Sequence, residues 1–287
     1  MAAILARSRL HSHGILAPRP RIHRSHHAHT NSLEFDEVYI PKCKSDTFVT
    51  KFLNNGPGNV FTLILRTTLG LPFLNNGPGN VFTLILRTTL GLPLYLFFNV
   101  YRRDYEGFAN HYLPHSAIFN DREHGQIVLY DVGIITVLYA FYRLAVTHGV
   151  KSTLFLYRIP LFVMSGFFII LTYLNHTHPS IAHYDATEWD WVRGALSTVD
   201  RDFGALMNWI FHNGNENHVI HHLFPTIPLY HATEAREAVK PILGDYYKCD
   251  DTSMLKALWR DTVECIYVEP DENSDNKVKV LMVLLIS

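Results

Sequence analysis

Two short stretches carry the residues best suited to chemistry: His23-Arg24-Ser25-His26-His27 and His218-Val219-Ile220-His221-His222. Both follow the pattern H-x-x-H-H. On a helix, positions i, i+3 and i+4 fall within an arc of roughly 100°, so each box aims three imidazoles at one point. Neutral imidazole is a ligand for iron, zinc and copper. One box alone also reads as a polar helix face with solvated histidines. Two boxes with long apolar runs between them point to a shared metal site. Six or more histidines exceed a four-coordinate zinc site, and no C-x-x-C pair competes for metal.

The chain that must position these boxes has 287 residues, a formal net charge of −1 and 18 histidines. That charge gives no bulk attraction to nucleic acid. Three scattered cysteines, Cys43, Cys249 and Cys265, suggest a reducing compartment and no disulfide framework. Residues 1–22 hold four arginines and no acid. That composition fits a transit peptide, but the segment runs directly into the first box and is read as an atypical N-terminus. Residues 28–51 are polar and read as a solvent-side segment.

Residues 52–72 recur without change as 73–93. A perfect tandem copy of this kind is not a solenoid, which needs several diverged units. With Arg66, Arg87 and a Gly-Pro-Gly near each start, the duplicated region is expected on a surface rather than across a bilayer. Residues 127–146 and 154–174 are the better candidate spans, each near the roughly 20 residues a crossing needs. His148 to Ser152 would link them as a helical hairpin. A pair of buried helices in a soluble bundle is the alternative, weighed against Asp131 and Arg143, which are costly in lipid. If both boxes serve one site, an even number of crossings separates them, and the hairpin supplies two. The segment 231–264 reads as amphipathic helix split by Pro241 and Gly244, and residues 278–287 as an atypical apolar tail too short to span.

The stretches HRSHHAHTNSLEFDEVYIPK, HTHPSIAHYDATEWDWVRGALSTVDRDFG, HVIHHLFPTIPLYHATEA and KPILGDYY with ECIYVEPDE resemble membrane fatty acid desaturases of the plant endoplasmic-reticulum Δ12 (omega-6, oleate) type. The resemblance covers residues 23–277. Removing one repeat copy shortens the box spacing from 195 to 174 residues, which fits the family better. The resemblance implies an all-α fold: an integral membrane helical bundle with a cytosolic helical cap around a His-rich diiron site. It also implies an earlier box, H-E-C-G-H-H in form, after a first membrane hairpin. This sequence contains neither, so it is expected to be N-terminally truncated relative to the family, and it departs from the family's aromatic C-terminal ending.

By that resemblance, His23, His26, His27, His218, His221 and His222 are ligands of two non-haem irons, with His176 an additional candidate. The reaction implied is O2-dependent desaturation of oleoyl groups on a membrane lipid. Electrons would come from cytochrome b5 as a separate protein, since no H-P-G-G haem motif is fused here. Homo- or hetero-oligomers with related desaturases are a further implied partner. The location implied is the endoplasmic reticulum membrane, multi-pass, with the boxes facing the cytosol. Ser25 and Pro225 tilt the reading toward a divergent sister such as an acetylenase, with epoxygenase and hydroxylase also open. A non-catalytic truncated relative is the alternative of another class. His178, His183 and His231 are expected to support the site or lie on the surface, and His212 in a loop. Asp185, Glu188, Asp190, Asp200 and Asp202 are either orienters of ligand imidazoles through the second ring nitrogen or loop acids. Trp189 and Trp191 are expected at a membrane interface or along the acyl path.

Overall fold

The computed structural model describes residues 20–43, 77–99, 105–265, 267–270 and 278–282. The first repeat copy at 52–72 and the arginine-rich residues 1–19 lie outside them. In chain order the helices are α1 (Pro20–His29), α2 (Gly77–Phe98), α3 (His124–His148), α4 (Val150–His176), α5 (Trp191–Leu196), α6 (Ala205–Ile210), α7 (His218–Leu223), α8 (Leu229–Leu243) and α9 (Met254–Glu264). The strands are β1 (Lys42–Cys43), β2 (Ala182–Tyr184), β3 (Asp200–Arg201), β4 (Cys249–Asp250), β5 (Tyr267–Pro270) and β6 (Val278–Met282).

Helices dominate, but the all-α expectation needs correcting. A four-stranded sheet runs β1-β5-β6-β2, and β3 pairs with β4. Residues 278–282 of the expected free tail form β6, hydrogen-bonded between β5 and β2, with Val280 opposite Ala182. Pro241 does not split α8, which ends at Gly244, where φ is +52°.

The two candidate spans are longer than their apolar cores suggested. α3 has 25 residues and α4 has 27. At 1.5 Å per residue they are about 38 and 40 Å long, more than a bilayer's hydrocarbon core of about 30 Å. Only 6% of each apolar window is buried within the chain. Ile135, Leu138, Tyr142, Phe155, Leu156 and Leu161 are all more than half exposed. Long helices this apolar and this little covered by the chain itself fit membrane association better than the core of a soluble bundle. The connection is tighter than the expected five residues: Gly149 alone separates them, at φ +85°. Near its start α4 widens into a π-turn over Leu154–Arg158, where the Ile159 N–H bonds back five residues to the Leu154 carbonyl. Pro160 follows, and its ring would strike the carbonyl four residues earlier in a regular helix. The wider turn relieves that clash.

The second repeat copy runs on through residues 94–98 as one 22-residue helix, α2, that packs against α4. The crossing is close because Gly166 lacks a side chain: a Cβ there would sit 3.4 Å from the Thr88 carbonyl oxygen.

Two small apolar clusters join these helices to the His-bearing elements. Ile118, Phe119 and Ile127 pack with Ile22 of α1, so α3 starts beside the first box. Tyr173 and Leu174 at the end of α4 pack on Ala257 and Leu258 of α9. α3 therefore leaves from the box end and α4 returns to it.

Candidate metal centre

Both boxes lie on helices. α1 opens with Pro20, a favourable first position since its missing N–H would be unpaired there anyway. It closes at Asn31, which takes the left-handed conformation (φ +56°) that Asn tolerates. α7 is one helical turn and a half, His218–Leu223, with Val219, Ile220 and His222 buried. The two boxes, 195 residues apart in sequence, meet face to face at the end of α4. The His23 and His221 rings are 5.4 Å apart, His27 and His222 4.3 Å, and His26 and His222 5.0 Å.

All seven histidines singled out from sequence are in this cluster. His23, His27 and His221 bring ligand nitrogens within 4.8 Å of one another, and so do His26, His176 and His222. His218 joins the second set, its Nε2 2.9 Å from His176 Nε2 and 3.2 Å from His222 Nε2. His26 Nε2 lies 3.2 Å from His176 Nε2, and His27 Nε2 3.0 Å from His23 Nε2. The second set is sealed: His26, His176 and His222 are buried, whereas His23 is exposed.

The second ring nitrogens explain this convergence. His26 Nδ1 donates to the buried Asp36 carboxylate at 2.7 Å. Thr30 Oγ1 gives its only proton to the His26 carbonyl at 2.7 Å, so at 3.0 Å it accepts from His222 Nδ1. In the neutral ring each arrangement puts the proton on Nδ1 and turns the Nε2 lone pair toward the cluster. His27 Nδ1 and His176 Nδ1 are buried with no hydrogen-bond partner among the described residues. Burial first, and then the neighbouring imidazoles, hold His27, His218 and His222 far below the ordinary histidine value and bring His221 to about 4. Neutral imidazoles with converging lone pairs are the donor set a first-row transition metal takes. The seven histidines fall into one group of three and one of four.

Of the two readings left open for the five acids, Asp185, Glu188, Asp190 and Asp202 take the local one. Asp185 and Asp190 close local turns, accepting from Thr187 and Arg193 backbone N–H groups. Glu188 pairs with Arg193, and Asp202 accepts from Gly204 N and Asn208. Asp200 acts through backbone, accepting from Val219 N at 2.7 Å and from the Tyr247 hydroxyl at 2.6 Å. Burial pushes its carboxyl up to about 7 against these two bonds. None of the five bonds a ring nitrogen of the cluster in the described structure. Asp36 does, and it sits in the 28–51 segment read as solvent-side, where Thr30, Asn31, Ser32, Asp36 and Glu37 are in fact buried. The signal available was an acid ten residues after His26.

Trp189 and Trp191 serve α1 directly, donating Nε1–H to the Thr30 carbonyl at 2.9 Å and the His27 carbonyl at 3.2 Å. α5 approaches so closely that a Cβ on Gly194 would collide with the Thr30 carbonyl oxygen. His183 is buried on β2, with Nε2 lacking a partner among the described residues, and burial lowers it to about 4. His178 is also lowered to about 4, by burial and then by the Arg201 guanidinium. His231 is exposed beside Glu234, and His212 lies in a turn at φ +52°.

Comparison with known proteins agrees with this geometry. The family model for fatty acid desaturases matches residues 16–251. The chain is 51% identical over 256 residues to a Delta(12) fatty acid desaturase of Calendula officinalis, covering 89% of this chain and 62% of that protein. It is 48% identical to the omega-6 fatty acid desaturase, endoplasmic reticulum isozyme 2, of Glycine max and to a Delta(12)-fatty-acid desaturase of Arabidopsis thaliana. Each alignment covers 89% of this chain and 61% of the relative. The chain thus spans about six-tenths of the length of these curated relatives. With its two boxes meeting at the end of a long apolar helix, and with this extent of match, the chain belongs to the fatty acid desaturase family.

Proposed function

We propose that this chain forms the His-rich part of an acyl-lipid desaturase that introduces the Δ12 double bond into oleoyl groups on a membrane lipid. The observation carrying this reading is the convergence of both boxes and His176, with Nε2 atoms facing inward, where α4 ends. An acyl C–C pair offers no acidic hydrogen, and no amino-acid side chain removes one from it. Two irons, when bound, supply the O2-dependent oxidation that this hydrogen removal needs. His23, His27 and His221 would hold one, and His26, His176, His218 and His222 the other.

The chain's own residues do the rest. Asp36 and Thr30 fix the proton on Nδ1 of His26 and His222, which keeps Nε2 free to bind. Burial of His26, His176 and His222 excludes water from the more enclosed set. α3 and α4 cross the bilayer and return, so both boxes share one face, in keeping with the even number of crossings a shared site demands. That face is the cytosolic side of the endoplasmic reticulum membrane, and a separate cytochrome b5 delivers the electrons there. Association with related desaturases is a further part of this reading.

The test is expression of the full chain in yeast, with iron counted per purified chain and fatty acids analysed. A linoleate peak with two irons per chain supports the proposal. A triple-bond, epoxy or hydroxy product reassigns it to a sister activity. A folded chain that takes up no iron and yields no new product overturns it.

A further inference from the structure

We propose that the dipeptide Asp200–Arg201 is the positioning device that sets α4 against α7, and with them the distance between His176 and the second box. Successive side chains of a strand point to opposite sides. In β3 this sends Asp200 one way and Arg201 the other. Asp200 Oδ1 accepts from Val219 N at 2.7 Å, within the first turn of the helix that carries His218, His221 and His222. Arg201 grips the opposite partner. Its Nε donates to the Leu174 carbonyl at 2.8 Å and its Nη2 to the Thr177 carbonyl at 3.0 Å, so the two bonds bracket His176. The carbonyl between them, Asn175, accepts from Val199 N at 3.0 Å.

Helix ends leave their last carbonyls unpaired, and here the segment before the second box takes up three of them at the end of α4. Arg201 is fully buried and is itself held by Asp250 and Asp261, at 2.5 and 2.6 Å. Its planar fork reaches four partners on three elements at once, which a lysine ammonium on a flexible stem cannot reproduce. Arg260 binds the same two carboxylates, at 2.7 Å each. No hydrogen bond links Arg260 to an α4 carbonyl in the described structure, which makes it a matched control for mere ion-pair stabilisation.

The two halves of the device act on different histidines. Arg201 positions His176, which belongs only to the set of His26, His176, His218 and His222. Asp200 positions α7, which contributes His221 to one set and His218 and His222 to the other. This inference rests on the metal reading of the cluster, and zinc alone is the probe. The full chain is titrated with zinc in two backgrounds: His23→Ala leaves the set with His176, and His176→Ala/His218→Ala, which removes two of the four histidines of that set, leaves the set with His23.

Arg201→Lys is expected to weaken zinc by about 10- to 100-fold in the His23→Ala background and by less than about threefold in the other. Arg260→Lys is expected to leave both affinities unchanged while lowering the unfolding temperature. Asp200→Ala is expected to weaken both sets, and Asp200→Asn, which keeps an acceptor for Val219 N–H, to restore them. The Asp200 pair carries the test if Arg201→Lys does not fold. Equal weakening of both sets by Arg201→Lys, an effect of Arg260→Lys as large as that of Arg201→Lys, or failure of Asp200→Asn to restore binding overturns the inference. A wild-type chain that takes up no zinc overturns the metal reading, and this inference with it.

Discussion

Box one rides on a ten-residue helix with His23 exposed. Box two sits on a six-residue helix whose inner face is sealed. Their patterns are the same, yet they are held in place differently. α1 is fastened at its C-terminal end by residues that follow it: Thr30 and Asp36 on the ring of His222 and His26, and Trp189, Trp191 and Gly194 against its carbonyls. α7 is fastened at its N-terminal end by Asp200, and by Asn217, whose amide donates to the Asn213 carbonyl and the Thr233 hydroxyl. A helical spacing of histidines thus aims three rings. Where they aim is decided by polar groups on other segments.

If those supports matter, substitutions within one box should not be equivalent. The largest effect is expected from His222→Ala or His26→Ala, which remove a buried donor from the sealed set. Metal content should fall by at least one ion per chain, with no detectable product. His23→Ala should spare the sealed set, so the chain retains one ion by elemental analysis.

Next in size is Asp36→Asn. Without the carboxylate, His26 loses the acceptor that fixes its tautomer, and metal affinity of the sealed set should drop about 10- to 100-fold. Thr30→Val should act in the same direction through His222. Competition with a chelator measures both, and an unchanged affinity would detach these residues from the site.

Acid should loosen the sealed region through His183. Its folded value of about 4 lies below the ordinary 6.5 because burial penalises the charged ring. The unfolded chain therefore binds that proton first as pH falls. The contribution is complete above about pH 6.5 and is lost toward pH 4, by up to about 3 kcal/mol. His183→Phe should make this part of the pH–stability curve shallower in chemical denaturation, with His178 and His221, also near 4, supplying part of the slope that remains.

Smaller still is Gly194→Ala, which places a methyl against the Thr30 carbonyl and should cost about 1–3 kcal/mol by overpacking. Its effect should reach both sets, because box one supplies His23 and His27 to one and His26 to the other. Trp191→Phe removes one hydrogen bond to the His27 carbonyl and should cost about 1 kcal/mol. Thermal unfolding checks both.

The clustered histidines of the two boxes were legible because type and spacing suffice: an i, i+3, i+4 set on a helix has few other uses when it occurs twice. α3 and α4 were legible from long, largely apolar runs. The supports were not. Asp36 looks like any acid in a polar stretch, and its burial depends on α1 doubling back on the loop that follows it. Asp200 was named as a possible orienter, but its target is a backbone N–H rather than an imidazole, and nothing local distinguishes the two. β6 was hidden because an apolar tail announces no pairing partner, and the single-residue link at Gly149 because helix ends fray by composition but stop by conformation.

The central claim is that two distant boxes supply one imidazole-lined centre. X-ray absorption at the iron edge of the iron-loaded full chain tests it most directly. The account requires a first shell of nitrogen with the outer-shell scattering of several imidazole rings, diminished in both His26→Ala and His222→Ala. A shell without imidazole scattering, or one that survives both substitutions unchanged, would contradict it.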